Sequence, residues 1–308
     1  MAQHNPWPDE GNTGHIWDED IRELDNPPPL WWMLAFYAGF IMIIFYALYY
    51  PSIPLADDHT KGLAGWTQIV EYKDDFKVLN DWRERTFAAE EEKLRTMDVA
   101  DILKDDNLRA YAVNTSKVLF GDYCMACHGA GGQGNPNFPV IANDDWLWGG
   151  SIKQIEASLI NGRLGNMPAR GMMGNLSDEE IRQVAEYSLA LGAGEGDQAQ
   201  YAAGKAIYSG KGMCMACHGP QGKPLAPTGA TNLTDQIYRF QGTPSNLQAS
   251  ALEAYIHTIT YGVNVKKDGQ FLAETRRAEM PAFKERLPDA DVNIKRLAVY
   301  VHQLGGGQ

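Results

Sequence analysis

The chain has 308 residues, 44% hydrophobic and 21% charged, a composition of folded protein rather than of a disordered or collagenous one. Lys and Arg number 27 against 39 Asp and Glu, and the net charge of −12 argues against a phosphate-neutralising surface and hence against nucleic acid as a partner. Four cysteines are too few for a disulfide scaffold in a chain this long, and their grouping in two pairs points to redox or metal chemistry.

Residues 1–29 form an acidic tail with seven acids and one Arg. Leu30 to Tyr50 (LWWMLAFYAGFIMIIFYALYY) then runs for 21 residues without a charge. At ~1.5 Å per residue it spans ~32 Å, the thickness of a bilayer hydrocarbon core, and is predicted to be a transmembrane helix in contact with lipid. Trp31 and Trp32 at one end and Tyr46, Tyr49 and Tyr50 at the other suit the two interfaces, and Pro27 to Pro29 and Pro51 stop the helix on both sides. A core helix of this length would carry a polar face, and a cleavable signal would have a basic leader and a small-residue cleavage site. The segment is therefore expected to persist as an anchor. Its flanks offer only Arg22 on one side and Lys61 on the other, so charge does not orient it.

Residues 51–106 are expected to link the anchor to the cysteine-bearing region. Gly62 to Trp66 suits either the headgroup region or a solvated linker. Asn80 to Val99 is predicted to be a charged spacer helix capped by Asn80, with Asp81/Arg85 and Glu91/Arg95 at four-residue spacing.

The chain then repeats itself. Cys124-Met-Ala-Cys127-His128-Gly129 recurs unchanged as Cys214-Met-Ala-Cys217-His218-Gly219, 90 residues on. Each copy comes after a helix-like stretch (108–120 and 201–208) and precedes a Gly/Pro-rich loop. Each later carries a loop Met before Pro, Met167-Pro168-Ala169 and Met280-Pro281-Ala282, and then an amphipathic helix (178–191 and 289–304). Gly192 to Asp197 reads as a linker between the copies.

C-x-x-C-H is the signature of c-type haem attachment. Two cysteines one short turn apart can add across two vinyl groups on one porphyrin edge, and the next imidazole lies under the iron. A zinc site would want four ligands and a thioredoxin-like motif a βαβ context; neither is visible. Two covalently bound haems c are expected, through Cys124 and Cys127 and through Cys214 and Cys217, with His128 and His218 as axial iron ligands. Opposite His, a thioether gives a closed, low-spin, high-potential iron. Met167 and Met280 are the candidates for that position, with Met172 and Met173 as rivals to the first. Which Met serves which haem is open. Trp146 and Trp148 are read as packing near a haem edge, Arg163 as a candidate propionate partner, and His257 as a packing residue. The predicted fold class is all-α: one N-terminal transmembrane helix (30–50) followed by two tandem cytochrome c-like helical domains, 107–193 and 197–308.

The order of parts is more specific than C-x-x-C-H alone. The acidic tail holds Gly14-His-Ile-Trp-Asp18 and Leu24-Asp-Asn-Pro-Pro28 directly before Trp31-Trp32; the anchor and two C-x-x-C-H copies come next, with Asp145-Trp-Leu-Trp-Gly-Gly150 in the first. Over nearly its whole length this resembles the dihaem third subunit of cbb(3)-type cytochrome c oxidases. One departure is the span from His218 to Met280, 62 residues against 39 from His128 to Met167, with the excess falling in 262–278.

The resemblance implies a single-pass protein of the bacterial inner membrane, its N-terminus cytoplasmic and its haem domains periplasmic, because haem c is attached outside the cytoplasm. It implies electron transfer from a cytochrome c or a cytochrome bc complex, through a monohaem cytochrome c subunit, to a haem-copper subunit that reduces oxygen and pumps protons. The chain itself is then a non-catalytic member of the complex. Two other readings share the haem motifs: a membrane-anchored dihaem carrier for a periplasmic dehydrogenase or an independent shuttle, and a dihaem peroxidase, which needs one iron with a displaceable ligand.

Overall fold

The computed structural model describes residues 7–18, 20–225 and 228–308, and divides into two compact units, the first ending at Thr86 and the second beginning at Phe87. In the first unit, strands β1 (Asn12–Trp17) and β2 (Ile21–Leu24) pair antiparallel, with Ile16 opposite Arg22 and Trp17 opposite Ile21. The tail thus has a hairpin that no sequence pattern announced. Its strands are short, and Arg22 steadies it by pairing with Glu10 at 2.5 Å and lying 4.4 Å from the Trp7 ring centroid.

Helix α1 (Leu30–Tyr49) is the apolar segment, bounded by Pro29 and Tyr50, with no residue buried within the protein. Twenty residues rise ~30 Å, so the helix is long and apolar enough to cross a membrane. The Gly62 to Trp66 stretch folds back on its C-terminal end. Leu63 and Ala64 donate their amides to the Leu48 and Tyr49 carbonyls, which a helix end otherwise leaves unpaired, and Trp66 packs edge-on to Tyr50.

Helix α2 (Gln68–Thr96) begins twelve residues before the predicted spacer helix and has a non-helical residue at Phe87. Thr67 caps it, its hydroxyl accepting from the Val70 amide at 3.2 Å. The predicted ion pairs along it are replaced by others. Asp81 pairs with Lys77, whereas Arg85 donates to the Asp81 backbone carbonyl. Glu91 accepts from Arg296 and Tyr111, and Arg95 binds Asp289 through both oxygens. For Glu91 and Arg95, partners in the last helix and at the residue that precedes it displace the local four-residue pair because a two-pronged guanidinium–carboxylate contact is stronger than a solvated side-chain pair on one helix.

In the second unit come α3 (Val99–Lys104), α4 (Asp106–Tyr123), α5 (Met125–His128), α6 (Ile152–Asn161), strand β3 (Arg163–Leu164) and α7 (Asp178–Gly192). A single 3₁₀ turn (Ala199–Tyr201) leads to α8 (Ala202–Ser209), α9 (Met215–His218), α10 (Ala251–Tyr261), strands β4 (Lys266–Lys267), β5 (Gln270–Phe271) and β6 (Glu279–Met280), and finally α11 (Ala290–His302). Strands contribute only three two-stranded ladders among the described residues, and the architecture is helical as expected.

The two hydrophobic cores do not follow the two sequence copies. One core joins Leu108, Ala112 and Phe120 on α4, and Ile152, Ile155 and Leu159 on α6, to Val292, Leu297 and Val301 on α11. The other joins Ile181, Val184 and Ala185 on α7 to Tyr208 on α8 and Ile259 on α10. Each copy's opening helix and C-x-x-C-H turn therefore pack with the closing helix of the other copy. Residues 107–193 and 197–308 describe the repeat in the sequence; the cores are assembled crosswise.

Candidate haem centres

Both C-x-x-C-H segments are single helical turns. Cys124 closes α4, and its carbonyl accepts from the amides of Cys127 and His128 at 3.1 and 2.9 Å before Gly129 turns the chain out at φ 76. The second copy repeats this with Cys214 accepting from Cys217 and His218 at 3.2 and 3.0 Å, and Gly219 again at φ 76. All four thiols are free; burial pushes Cys124 and Cys214 up to about 11. Cys124, Cys127 and His128 line one cavity, and Cys214, Cys217 and His218 line another.

Each imidazole is held by a carbonyl. His128 Nδ1 lies 3.0 Å from the Pro139 carbonyl oxygen and His218 Nδ1 lies 2.9 Å from that of Thr231. A carbonyl only accepts, so Nδ1 carries the proton and donates, which leaves the lone pair on Nε2. Burial lowers both imidazole pKa values against the opposing pull of these carbonyls, and Arg239 lowers that of His128 further. Both rings are thus neutral, with the tautomer that a metal takes.

The candidate methionines cross over. Met280 and Pro281 line the His128 cavity, whereas Met167 and Pro168 line the His218 cavity. Short backbone ladders hold them there. Met280 pairs with Arg163, just after α6, and Met167 exchanges hydrogen bonds with Val263, just after α10, at 2.9 and 3.2 Å. The glycines ending those helices make the approach possible. A Cβ on Gly162 (φ 66) would lie 2.5 Å from the Met280 carbonyl oxygen, and one on Gly262 (φ 67) would lie 2.4 Å from that of Met167. The His-to-Met span within a copy therefore does not set either cavity, since each is lined by the His of one copy and the Met of the other. The additional residues of the second copy instead help to wall the His128 cavity, through Thr275, Arg276 and Ala278.

Of the rivals to Met167, Met172 lines the same cavity and Met173 does not; Met173 is 71% exposed. Trp146 and Trp148 line the His128 cavity, as does Arg163, whose guanidinium stacks 5.0 Å from the Trp148 ring centroid. His257 lies away from both cavities, bonded through Nε2 to the Glu274 carbonyl and packed at a tilt against Tyr261, with ring centroids 4.7 Å apart, as a packing residue.

The His128 cavity encloses 760 Å³, within the ~300–1,000 Å³ usual for cofactor pockets, while the His218 cavity is narrower at 190 Å³. The fit to covalently held haem rests on the donor set: two thiols and one neutral imidazole in each, with the Met280 thioether in the first and those of Met167, Met172 and Met213 in the second, which suits a soft, six-coordinate iron. A second feature agrees. Arg239 lines both cavities with its Nε shut off from solvent and without a hydrogen-bond partner, an arrangement suited to an anionic ligand. Sequence reading missed Arg239 and Arg276, since a single Arg in a loop carries no local signal.

Two family models match the chain. Residues 9–57 match the model described as the N-terminal domain of cytochrome oxidase-cbb3, FixP, and residues 112–187 and 199–301 match that of cytochrome c oxidase, cbb3-type, subunit III. The chain is similar to the cbb3-type cytochrome c oxidase subunit FixP of Azorhizobium caulinodans, 38% identical over 308 residues that cover 96% of this chain and 93% of the relative. It is also similar to subunit CcoP of Cereibacter sphaeroides, at 35% identity, and to subunit FixP of Bradyrhizobium diazoefficiens, at 37%, each alignment covering 96% of this chain and 95% of the relative.

Proposed function

Because the chain belongs to the cbb3-type cytochrome c oxidase subunit III family, we propose that it is the membrane-anchored dihaem cytochrome c of such an oxidase, passing electrons from a cytochrome c donor towards the oxygen-reducing subunit. In this reading Cys124 and Cys127 hold one haem c and Cys214 and Cys217 the other. His128 with Met280 would hold the iron of the first, and His218 with Met167 that of the second. Bound there, each haem supplies a one-electron couple whose potential the thioether holds high.

The observation that carries the proposal is that the two cavities share a wall. Leu147, Gly165, Arg239, Phe240 and Ala278 line both. Gly165 keeps this wall thin: its amide donates to the Ala278 carbonyl at 2.9 Å, and a Cβ there would lie 2.9 Å from the Ala278 Cβ. Two redox sites separated by one layer of residues suit a relay. Two full sets of axial ligands leave no open coordination position for oxygen, so the chain serves as a non-catalytic wire, with the monohaem and haem-copper subunits as its partners. The anchor orients residues 1–29 to the cytoplasm of a bacterial inner membrane and the haem centres to the periplasm, where covalent attachment takes place.

Purification from native membranes tests this. The chain is expected to carry two haems c by pyridine haemochrome analysis, to stain for haem on denaturing gels and to copurify with a copper-containing subunit. A complex lacking residues 107–308 is expected to lose oxidation of cytochrome c while still reducing oxygen with a small artificial donor. Purification without any copper subunit would instead make the chain an independent carrier.

A further inference from the structure

Among the described residues Arg239 is the single titratable one in the shared wall, and its surroundings do not account for its charge. Its guanidinium lies 5.3 Å from the Phe240 ring centroid, and among the described residues it forms no ion pair. The other arginines beside it are already engaged. Arg163 donates from Nε to Ser158 Oγ at 2.9 Å and stacks on Trp148. Arg276 donates to Thr258 Oγ1 and to the Gly242 carbonyl, and Arg277 pairs with Glu279. The contact from Arg276 to Gly242 also ties down the loop that carries Arg239, so the unpaired N–H is held in place. A guanidinium removed from water without an anion is costly, and a planar fork of donors suits carboxylates.

We propose that Arg239 is the common counter-charge of the two haem centres, binding carboxylate groups of the tetrapyrroles in both cavities at once. The proposal rests on the dihaem reading above and adds a positioning role to it. Its consequence is electrostatic. Arg239 is a fixed cation in the shared wall, and since reduction would remove one unit of positive charge at each site, it would favour the reduced form at both and raise both potentials together. Arg163, Arg276 and Arg277 line the His128 cavity alone and cannot act on both sites in this way.

The test is a redox titration of the full-length haem-loaded protein, followed in the visible bands and fitted to two one-electron components. Arg239→Gln keeps the hydrogen-bonding shape and removes the charge. It is expected to shift both one-electron equilibria about tenfold towards the oxidised form, about 59 mV each. Arg239→Lys, which keeps the charge, is expected to recover most of both shifts. A variant that retains two haems and both sulfur-to-iron bands but moves one potential, or neither, overturns the proposal, as does a Lys variant that behaves like Gln. Should Arg239→Gln not retain haem, the Lys variant decides: both potentials near wild type support a charge role, and loss of haem there too assigns Arg239 to folding and overturns it. Fewer than two covalent haems in the wild-type chain would instead sink the dihaem reading, independently of any variant.

Discussion

The crossed cores make a prediction that the sequence copies would reverse. Leu297 lies on α11 in the second copy, yet it is fully buried, at 0% exposure, in the core that surrounds the first C-x-x-C-H turn. Replacing it with Ala removes three buried carbons and leaves a cavity between α11 and α4, where Phe120 and Tyr300 already meet with ring centroids 5.0 Å apart. Such changes cost about 2.7–5.0 kcal/mol when the site cannot collapse. For a unit of this size, a cost of about 3 kcal/mol lowers Tm by about 6–12 °C. The assay compares two single-haem forms of the full chain, one keeping only Cys124 and Cys127 and the other only Cys214 and Cys217. Loss of the near-infrared sulfur-to-iron band is followed in guanidinium. Leu297→Ala is expected to lower the midpoint mainly in the form whose haem is on Cys124 and Cys127. Val184→Ala, on α7 in the other core, is expected to act mainly on the other form. If Leu297→Ala instead weakens the Cys214-attached centre and spares the Cys124-attached one, the crossed architecture is refuted.

The same single-haem forms test ligation directly. Met280→Ala is expected to abolish the sulfur-to-iron band of the haem on Cys124 and Cys127, and Met167→Ala that of the other; the opposite assignment would restore pairing within each copy. Gly262→Ala, at φ 67 against the Met167 carbonyl, is expected to cost more than about 2 kcal/mol in guanidinium unfolding, because left-handed strain of about 1–2 kcal/mol adds to a backbone clash. Gly269→Ala, at φ 80 with open space around it, is expected to cost only the strain, and equal losses in the two variants would remove the argument for a required close approach. Burial, reinforced by Asp235 and Asp144, raises Asp145 from its usual value of 3.8 to about 6. The folded state therefore holds a proton there that the unfolded state releases, so stability falls as pH rises from about 4 to about 6. Discounted for partial exposure, the loss is about 1–2 kcal/mol. Asp145→Asn is expected to flatten that part of the stability profile, measured by denaturation across the range, and an unchanged slope would exclude Asp145 as its source.

The grouping of two thiols with an imidazole was legible in the chain itself, because C-x-x-C-H acts within one helical turn: four backbone steps bring all three to one cavity whatever surrounds them. The anchor was legible for a similar reason, since 20 apolar residues satisfy their own backbone hydrogen bonds and need only lipid around them. Where local and distant partners competed, sequence spacing misled: Glu91 and Arg95 bind Arg296 and Asp289 on the far end of the chain rather than each other. The hairpin in the tail also escaped, because strands of six and four residues carry too little alternation to stand out. Which Met lines which cavity was beyond any local reading. Both copies present the same turn, the same Met-Pro loop and the same amphipathic closing helix, so α7 and α11 are equally plausible partners for either site by pattern. Only helix-to-helix burial, α4 on α11 and α8 on α7, selects the crossed arrangement. That choice also brings the two cavities to one wall and lodges Arg239 in it, a position defined by segments far apart in the chain and by no motif within them.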